Sequence, residues 1–424
     1  MRLSYDQPKL IGSVKLPSSK SLSNRALMLQ ALFPTKISIQ NLSEANDTVL
    51  LDNILKQLQA YIPFNLSETL TINAEDAGTT FRFLTAYLSS LQGFEFILTG
   101  TERMCNRPVH ELVDALLQIY ADITYIDKKG FPPLKINGKN LIGGTVLINA
   151  SVSSQFISAL CLLAPTLEQG LTIELEGQTV SKPYIDMTLS LMQKVGIESQ
   201  FDNNKISIGK QTPKQTCLTI ENDWSSITFF YGMAMMSNHE VNLFLPNLNR
   251  QSLQGDSYIV ELAAQFGIET SDINGDGIQI FKNKQFVLNQ NLVVDLTAFP
   301  DLAIPFIVAC ATCYPTVSIT GIAHLEYKES KRLTALTTEL KKIGIELEYN
   351  LDILRFKQIH QLDTTHKVSF HTYDDHRIAM ALSMLALLDI EVTLDSTECV
   401  QKSFPEYWLQ LQQLGFEILD SKRS

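Results

Sequence analysis

Six times along the chain, a short polar segment leads directly into a stretch of small and apolar residues with helical periodicity. The segments begin at Pro17, Asp76, Ser151, Asp223, Ala298 and Tyr373. The last five follow one another at intervals of 75, 72, 75 and 75 residues, and the first interval is 59 residues. A regular period of this kind indicates one supersecondary unit used six times.

Short β-rich runs lie between the predicted helices and end at Gly, Pro or Asn, as strands usually do. Such runs begin at Phe94, Leu171, Val241 and Val317. A second helix follows in most units, and Gly267 and Gly344 stop two of these helices. The pattern therefore predicts an α/β fold, and two groups of three repeats would make two similar domains.

Residues that favour helix N-termini, namely Ser, Asp, Gly and Thr, stand at the starts of the first helices. Helix N-termini carry partial positive charge, so several of them converging would form an anion site. Cations recur at or near element starts, at Lys20, Arg25, Arg82, Arg103, Arg107, Lys328, Arg332, His376, Arg377 and Lys402. Taken singly, each could be a solvated surface charge. Their recurrence within a repeat favours binding of a multiply anionic ligand, although Arg82 could be structural.

The composition excludes several classes of protein. With 424 residues, 45% of them hydrophobic, the chain can bury sizeable cores, which excludes a disordered or fibrous protein. A formal net charge of -11 argues against nonspecific binding to nucleic acid or anionic membranes. Residues 1–10 lack the apolar core of a signal peptide, and the run Ile378–Leu388 is too short to span a bilayer. We therefore expect a cytoplasmic protein whose six cysteines are reduced thiols.

Ten motifs are specific enough to indicate a family. In chain order they are LPSSKSLSNRALMLQAL, DAGTTFRFL, RPVHELVDAL, SVSSQF, SKPYIDMTLSLM, DWSSITFF, FPDLA, YKESKRL, DDHRIAMAL and KSFPEYW. They closely resemble the corresponding blocks of the 5-enolpyruvylshikimate-3-phosphate (EPSP) synthase family. This resemblance covers essentially the whole chain.

The resemblance implies two domains of three α/β repeats each, joined by two crossings of the chain, with the active site in the cleft between them. One domain would span residues 20–221 and carry most contacts to shikimate 3-phosphate. The other would combine 1–19 with 222–424 and carry Asp301, Glu329 and much of the phosphoenolpyruvate site. The implied reaction transfers the carboxyvinyl group of phosphoenolpyruvate to the 5-hydroxyl of shikimate 3-phosphate and releases phosphate.

The resemblance also implies which residues bind the substrates. For shikimate 3-phosphate they are Lys20, Ser21, Arg25, Ser153, Ser154, Gln155, Ser181, Tyr184, Asp301, His324 and Lys328. For phosphoenolpyruvate they are Lys20, Gly78, Arg107, Gln155, Arg332, His376, Arg377 and Lys402. The two substrates together bring about five or six negative charges, which agrees with the recurring cations. Since the position of Gly78 contacts glyphosate in the family, we expect inhibition by glyphosate.

Three residues are implied to be catalytic. Asp301 would act on the substrate hydroxyl, Glu329 would act on the methylene carbon of phosphoenolpyruvate, and Lys20 would lie close to both substrates. The chemistry calls for no metal or organic cofactor, and no set of His and carboxylate residues has metal-ligand spacing. The expected partners are the two substrates, with no nucleic acid or membrane, and we expect a monomer.

Three positions depart from the family pattern: His324 stands in place of Asn, Glu326 in place of Arg and Asp76 in place of Asn. A carboxylate at position 76 would either pair with a neighbouring Arg or repel the ligand. These changes leave the acid and the base in place. Among the cysteines, Cys310 and Cys313 are interpreted as core thiols and Cys105 as incidental.

Two alternatives remain. The sister family that transfers enolpyruvate to a UDP-amino sugar has Lys-Asn where this chain has Lys20 and Ser21, and the SVSSQF and SKPYID blocks also argue against it. A binding paralogue without turnover would be consistent with His324 and Glu326. The intact Lys20, Asp301 and Glu329 argue against that second alternative.

Overall fold

The computed structural model describes residues 1–62, 68–283, 285–287, 291–358 and 367–419. These residues form two compact units. The inserted unit is Ser18–Ile220, and the split unit combines Met1–Pro17 with Glu221–Ser424. Both units mix helices and strands, so the predicted α/β class is confirmed.

Short strands are spread over the whole described chain. In chain order they are β1 (Arg2–Ser4), β2 (Lys9–Ser13), β3 (Ile37–Gln40), β4 (Leu70–Asn73), β5 (Glu95–Thr99), β6 (Asp122–Tyr125), β7 (Leu134–Asn137), β8 (Gly144–Asn149), β9 (Leu171–Glu176), β10 (Gln200–Asp202), β11 (Lys205–Ile208), β12 (Thr216–Thr219), β13 (Glu240–Pro246), β14 (Ile268–Ile273), β15 (Gly277–Lys282), β16 (Val293–Asp295), β17 (Ser318–Thr320), β18 (Ile345–Asn350), β19 (Ile353–Gln358), β20 (Lys367–Phe370), β21 (Glu391–Leu394) and β22 (Glu417–Leu419).

The α-helices alternate with these strands. They are α1 (Lys20–Leu32), α2 (Asn46–Tyr61), α3 (Gly78–Ser89), α4 (Glu102–Cys105), α5 (His110–Gln118), α6 (Ser154–Leu163), α7 (Lys182–Lys194), α8 (Trp224–Met236), α9 (Ile259–Ala264), α10 (Pro300–Cys313), α11 (Arg332–Leu340), α12 (His376–Ser383) and α13 (Tyr407–Gln413). The predicted strands that begin near 94, 171, 241 and 317 are confirmed as β5, β9, β13 and β17.

One connection recurs in both units: a strand, a buried helix, a parallel strand, a second helix and an antiparallel hairpin. It gives the strand orders β4-β5-β7-β6 and β8-β9-β11-β10 in the inserted unit. In the split unit it gives β16-β17-β19-β18. A parallel pair needs a crossover connection, and α3, α6 and α10 supply it in these three sheets.

The N-terminal segment completes two sheets of the split unit. Strand β1 lies between β21 and β22 and is antiparallel to both. Strand β2 pairs in parallel with β13, while β3, on the other side of the chain crossing, pairs in parallel with β12 in the inserted unit. The strands that flank α1 and α8 in sequence are therefore exchanged between the two units.

Three helices form the centre of each unit, and they are the helices that begin the six repeats. In the inserted unit α1, α3 and α6 pack on one another, and in the split unit α10 packs on both α8 and α12. Every residue of α8 is buried, as expected for a helix surrounded by other elements. The small and apolar sequence of these helices therefore reflects burial on all sides.

Side-chain caps begin four of these six helices. Ser19, Ser153, Asp223 and Asp375 each accept a hydrogen bond from a backbone N–H in the first turn. The prediction of capped starts is wrong for α3 and α10, which follow Ala77 and Phe299 without a side-chain cap. In α10, Pro300 occupies the first position and has no N–H to satisfy.

Two residues that were predicted to stop helices adopt the left-handed conformation. Gly267 has φ +77° after α9, and Gly344 has φ +85° at the end of the turn after α11. The thiols of Cys161 and Cys310 are buried, and the six cysteines are free. Within the described residues, no helix combines the length and hydropathy needed to cross a membrane.

The split unit offers a matched test of its core. Leu243 in β13 is fully buried, whereas Leu409 in α13 is 47% exposed. We expect Leu243→Ala to lower the free energy of unfolding by about 2–5 kcal/mol, because it leaves a cavity. Leu409→Ala should cost less than about 1 kcal/mol. Chemical denaturation of both variants measures the difference, and equal losses would contradict the assigned core.

Candidate active site

Four helices of the inserted unit begin at residues that were predicted to bind substrate. Lys20 is the first residue of α1, Gly78 of α3 and Ser154 of α6, and Ser181 directly precedes α7. The N–H groups of a helix start carry partial positive charge and favour anions. Each of these predicted residues therefore lies where the backbone itself favours a phosphate or a carboxylate.

Arg25 ties three of these helices together. Its Nε donates to Thr188 Oγ1 at 2.7 Å. Its Nη2 donates to Ser158 Oγ and to the Tyr184 carbonyl, both at 3.2 Å, and its Nη1 donates to the Ser21 carbonyl at 2.9 Å. Burial lowers the pKa of Arg25 to about 10, which leaves the guanidinium charged at neutral pH. One of its five N–H donors remains beyond these four bonds.

Gln155 connects α6 to α3. Its Nε2 donates to Thr79 Oγ1 at 3.1 Å, and its backbone N–H donates to Ser153 Oγ at 3.3 Å. Ser154, which lies between Ser153 and Gln155 in the sequence, is buried. Gln155 of the SVSSQF motif is thus held by α3 as well as by its own helix.

Ser181 has an unusual backbone conformation. Its φ is +54° and its ψ is +36°, in the left-handed region that residues with a side chain seldom occupy. The preceding residue, Val180, donates its N–H to the Ala150 carbonyl at 3.2 Å, which fixes this turn beside the loop that leads to α6. Strain of this kind often accompanies a binding site. No sequence signal predicted it, since the residue is not a glycine.

Gly78 permits a close approach by Arg107. A Cβ atom at position 78 would lie 2.6, 2.7 and 2.9 Å from three atoms of the Arg107 guanidinium. Nearby, Arg82 is buried and donates to the Gly78 carbonyl at 3.0 Å and the Pro108 carbonyl at 3.2 Å. Arg82 therefore joins the start of α3 to the segment that precedes α5, which supports the alternative that its role is structural.

Lys20 forms an ion pair that sequence reasoning missed. Its Nζ lies 3.1 Å from Asp47 Oδ2, and the two side chains are 17% and 9% exposed. Asp47 stands in the first turn of α2, where a carboxylate is favoured by the helix dipole. That placement is common among helices, so the sequence around Asp47 offers no signal of a functional role.

In the split unit, Asp301 is paired with Arg377. Asp301 lies in the first turn of α10, and its Oδ2 is 2.7 Å from Arg377 Nη2. Arg377 Nη1 also donates to the backbone carbonyl of Asp301 at 3.2 Å. The predicted base and a predicted phosphoenolpyruvate ligand are therefore in direct contact.

Glu329 is likewise paired with an arginine. Its Oε2 lies 2.6 Å from Arg332 Nη2, and Arg332 Nε donates to Asp375 Oδ2 at 2.9 Å. Burial alone would lower the pKa of Arg332, but the charges of Asp375 and Glu329 raise it above its ordinary value. Ser330 Oγ donates to the same Asp375 oxygen at 2.9 Å.

Asp375 links the two pairs. It caps α12 by accepting the N–H of Arg377 at 3.0 Å, while it also holds Arg332. Asp301 with Arg377, and Asp375 with Arg332 and Glu329, are thus two ion-paired groups joined where Asp375 accepts the backbone N–H of Arg377; we call these five residues the charge chain. Sequence reasoning placed Asp375 beside His376 and Arg377 but did not assign it to the site.

His324 lies in the turn Ala323–Tyr327 and is half-buried. Its Nε2 is buried and has no hydrogen-bond partner among the described residues. Burial, followed by the positive charge of Lys328, lowers the pKa of His324 to about 3. His324 is therefore a neutral imidazole throughout the physiological pH range.

Two further predicted residues lie around α12. His376, its first residue, is almost completely buried, and its Nδ1 is 3.8 Å from Asp375 Oδ1. Lys402 ends the turn Glu398–Lys402, which packs against α12. His376 therefore shares α12 with Arg377, and the turn of Lys402 packs against that helix.

Asp256 is another carboxyl group that sequence reasoning missed. It is buried and accepts a short hydrogen bond from Ser225 Oγ. Burial, together with the negative charge of Asp301, raises the pKa of Asp256 to about 7. Because Asp256 follows a Gly in an unremarkable turn segment, its burial could not be predicted from the sequence.

The departures from the family pattern have local partners. Glu326 accepts hydrogen bonds from Thr334 N and Thr334 Oγ1, both at 2.9 Å, and so caps α11. Asp76 accepts a short hydrogen bond from Thr101 Oγ1. Both carboxylates therefore have structural partners within the described residues. Among the described residues, no group of three or more His, Cys, Asp or Glu is placed to hold a metal ion.

Comparisons with known proteins agree with the motifs. A profile of the family described as EPSP synthase (3-phosphoshikimate 1-carboxyvinyltransferase) matches residues 5–411. A 3-phosphoshikimate 1-carboxyvinyltransferase of Bacteroides fragilis strain YCH46 is 38% identical over 421 residues, covering 99% of both chains. That of Colwellia psychrerythraea is 35% identical over 426 residues, covering 96% of this chain and 97% of the relative.

Solved structures show the same fold. An EPSP synthase from Acinetobacter baumannii superposes with a TM-score of 0.73 at 21% identity and covers 99% of both chains. The enolpyruvyl transferase NikO from Streptomyces tendae gives a TM-score of 0.71 at 13% identity and covers 98% of this chain and 97% of its own. At these identities the likeness concerns the fold.

The lowered pKa of His324 predicts an acid sensitivity. In the unfolded chain His324 takes up a proton near pH 6.5, whereas the folded protein resists protonation until about pH 3. The stability that this residue contributes is present above pH 6.5 and is lost progressively as the pH falls from 6.5 to about 3. At pH 5 the loss is about 2 kcal/mol relative to pH 7.

Denaturant titrations at pH 7 and pH 5 measure this loss. His324→Asn, which has no titrating group, should lose less stability on acidification than the wild-type protein. An equal loss in the two proteins would contradict the burial of a neutral imidazole at this position.

Proposed function

The chain belongs to the EPSP synthase (3-phosphoshikimate 1-carboxyvinyltransferase) family, and on that premise we propose that Lys20, Asp301 and Glu329 carry out the chemistry. The reaction transfers the enolpyruvyl group of phosphoenolpyruvate to the 5-hydroxyl of shikimate 3-phosphate and releases phosphate, in the shikimate pathway to aromatic amino acids. The charge chain is the observation that carries this assignment, because it joins both proposed proton-transfer groups to arginines suited to an anionic substrate.

Shikimate 3-phosphate is assigned to the helix starts of the inserted unit. Arg25 would bind the carboxylate through its remaining N–H donor, with Lys20 and Ser21 at the start of the same helix. The 3-phosphate would be bound by Ser153, Ser154 and Ser181, with Gln155 and Tyr184 beside the ring. Hydroxyl and N–H donors at helix N-termini support this assignment, since they suit a dianionic phosphate. From the split unit, Asp301, His324 and Lys328 are assigned to the same substrate.

Phosphoenolpyruvate is assigned to the arginines. The proposed ligands are Lys20, Gly78, Arg107, Gln155, Arg332, His376, Arg377 and Lys402. Guanidinium groups bind phosphate and carboxylate in a bidentate manner, which supports the choice of three arginines. In the charge chain, Arg332 and Arg377 already bind carboxylates, so the substrate would compete with Glu329 and Asp301 for their donors.

Each proton transfer has a proposed partner. Asp301 takes the proton of the 5-hydroxyl as the hydroxyl oxygen bonds to C2 of phosphoenolpyruvate. Glu329, protonated once phosphoenolpyruvate displaces it from Arg332, gives its proton to the methylene carbon C3. The resulting tetrahedral adduct then loses a proton from its methyl group and expels phosphate, which restores the double bond. Lys20 contributes positive charge where phosphate leaves.

We further infer that the protein is a cytoplasmic monomer. The net charge of -11 supports freedom from anionic membranes and nucleic acid. Sedimentation velocity measures the mass in solution, and a mass of twice 47.5 kDa would contradict the monomer.

Phosphate release from phosphoenolpyruvate tests the choice of acceptor. With purified protein, release should require shikimate 3-phosphate and should not occur with UDP-N-acetylglucosamine. Release with the UDP sugar would instead support the sister family. Binding of shikimate 3-phosphate without release would support the paralogue without turnover and direct attention to His324, Glu326 and Asp76.

Neutral isosteres test the two proposed proton-transfer groups. Asp301→Asn and Glu329→Gln should each lower kcat by roughly 10² to 10⁴-fold, the usual contribution of a positioned acid or base, while the fold survives. Matched controls are Asp272→Asn and Glu348→Gln, which alter exposed carboxylates of the same unit and should leave kcat unchanged. A wild-type kcat in either test variant would remove that residue from the mechanism.

A further inference from the structure

A strained turn leads into the helix that carries Arg377. Residues 371–375, which we call the strap, connect β20 to α12. Within the strap, Tyr373 has φ +55° and Asp374 has φ +49°, two consecutive left-handed residues of which neither is glycine. Such conformations persist only where the surrounding structure holds them. The contacts that hold the strap therefore determine where Asp375, His376 and Arg377 lie.

Glu339 is one of these contacts. Its side chain is fully buried near the end of α11. Its Oε2 accepts the His371 N–H at 3.0 Å and the Lys342 ammonium at 2.6 Å, and its Oε1 accepts the Tyr373 hydroxyl at 2.9 Å. A buried carboxylate with three donors is a strong and specific anchor. Two of the three donors belong to the strap.

The same helix also holds the other end of the strap. Arg332 and Glu339 are seven residues apart on α11, close to two helical turns, so they lie on one face. Arg332 binds Asp375, the last residue of the strap, and Glu339 binds its first and third residues. One buried helix face thus sets the positions of both ends of the turn.

Asp395 supports the strap from a different element. It follows β21, and its Oδ1 accepts Thr372 N at 2.9 Å and Thr372 Oγ1 at 3.0 Å. Its Oδ2 lies 2.8 Å from His371 Nδ1. Asp395 thus binds the first two residues of the strap, whereas Glu339 binds the strained Tyr373 itself.

We propose that Glu339 is a positioning residue for phosphoenolpyruvate binding: it holds the strained strap so that Asp375 and Arg377 keep the arrangement of the charge chain. The proposal rests on the roles proposed above for Arg332 and Arg377. Glu339 does not touch substrate in this scheme. Its effect should therefore fall on the affinity for one substrate rather than on proton transfer.

Steady-state kinetics of Glu339→Ala test the proposal. The KM for phosphoenolpyruvate should rise about tenfold or more, because three hydrogen-bond donors lose their acceptor. The KM for shikimate 3-phosphate and kcat at saturating phosphoenolpyruvate should each stay within about threefold. In Glu339→Gln, which keeps an acceptor of the same size, most of the affinity should return. A general loss of folded protein would instead lower the active fraction and leave both KM values unchanged.

Tyr373→Phe provides a second variant that leaves no buried charge unpaired. It removes one hydroxyl from a side chain that is 39% exposed. We expect the KM for phosphoenolpyruvate to rise roughly two- to tenfold, the usual effect of one lost hydrogen bond. Tyr349→Phe is the matched control: Tyr349 is 40% exposed and donates to Asp352 Oδ1 at 2.8 Å, outside the strap. Its KM for phosphoenolpyruvate should not change.

Arg377→Gln distinguishes the proposed binding role of Arg377 from the positioning role of Glu339. If this variant leaves the KM for phosphoenolpyruvate unchanged, the proposed role of Arg377 is wrong. If it raises that KM while folded Glu339→Ala and Tyr373→Phe do not, the role of Arg377 stands and the positioning role of Glu339 is overturned. A rise in all three variants, with Tyr349→Phe unaffected, supports both.

Discussion

The buried ion pair between Arg332 and Asp375 is the interaction on which the site residues of the split unit depend. Removing Arg332 would take away the arginine that binds both the buried Asp375 and Glu329, and a buried carboxylate that loses its cation is strongly unfavourable. Asp375 also caps the N-terminus of α12, and Arg332 also binds Glu329. The pair therefore links the start of α12 to the proposed acid, Glu329. The positions of Arg332, Asp375, Glu329 and Arg377 are therefore coupled through this pair.

An acidic protein that binds anions must offset its own charge locally. Here the offset is achieved by arginines that are paired with carboxylates in the structure, and by helix starts that carry no net charge. Arg25 supports the second device, since its guanidinium binds residues of α1, α6 and α7, the helices whose starts are proposed to bind shikimate 3-phosphate. With these arginines counted, the formal net charge of the chain is still -11.

Much of the fold could be predicted from the sequence because each repeat carries its own local pattern of helix, strand and turn residues. The six helix starts and several strands follow from periodicity and from turn residues, which are short-range signals. Pairing between distant strands is not a short-range property, so periodicity could not give the partners of β2 and β3; only the family resemblance implied that the chain crosses twice between the domains. The same holds in the site: motifs indicated Arg332 and Arg377, whereas the left-handed Ser181 and the buried partners Asp47 and Glu339 depend on tertiary contacts.

The place of β1 has a consequence for the order of events during synthesis. Leu3 in β1 pairs with Ile418 in β22, so β1, which is made before every other described strand, must wait for β22, the last of them, before its sheet can close. All described strands of the inserted unit lie between residues 37 and 219, and it can fold while the remainder is still being translated. The split unit has the longest sequence separation between paired strands, and such pairings form slowly. Its apolar helix α8 therefore emerges well before the strands that complete its unit, at the stage when exposed apolar surface most needs a chaperone.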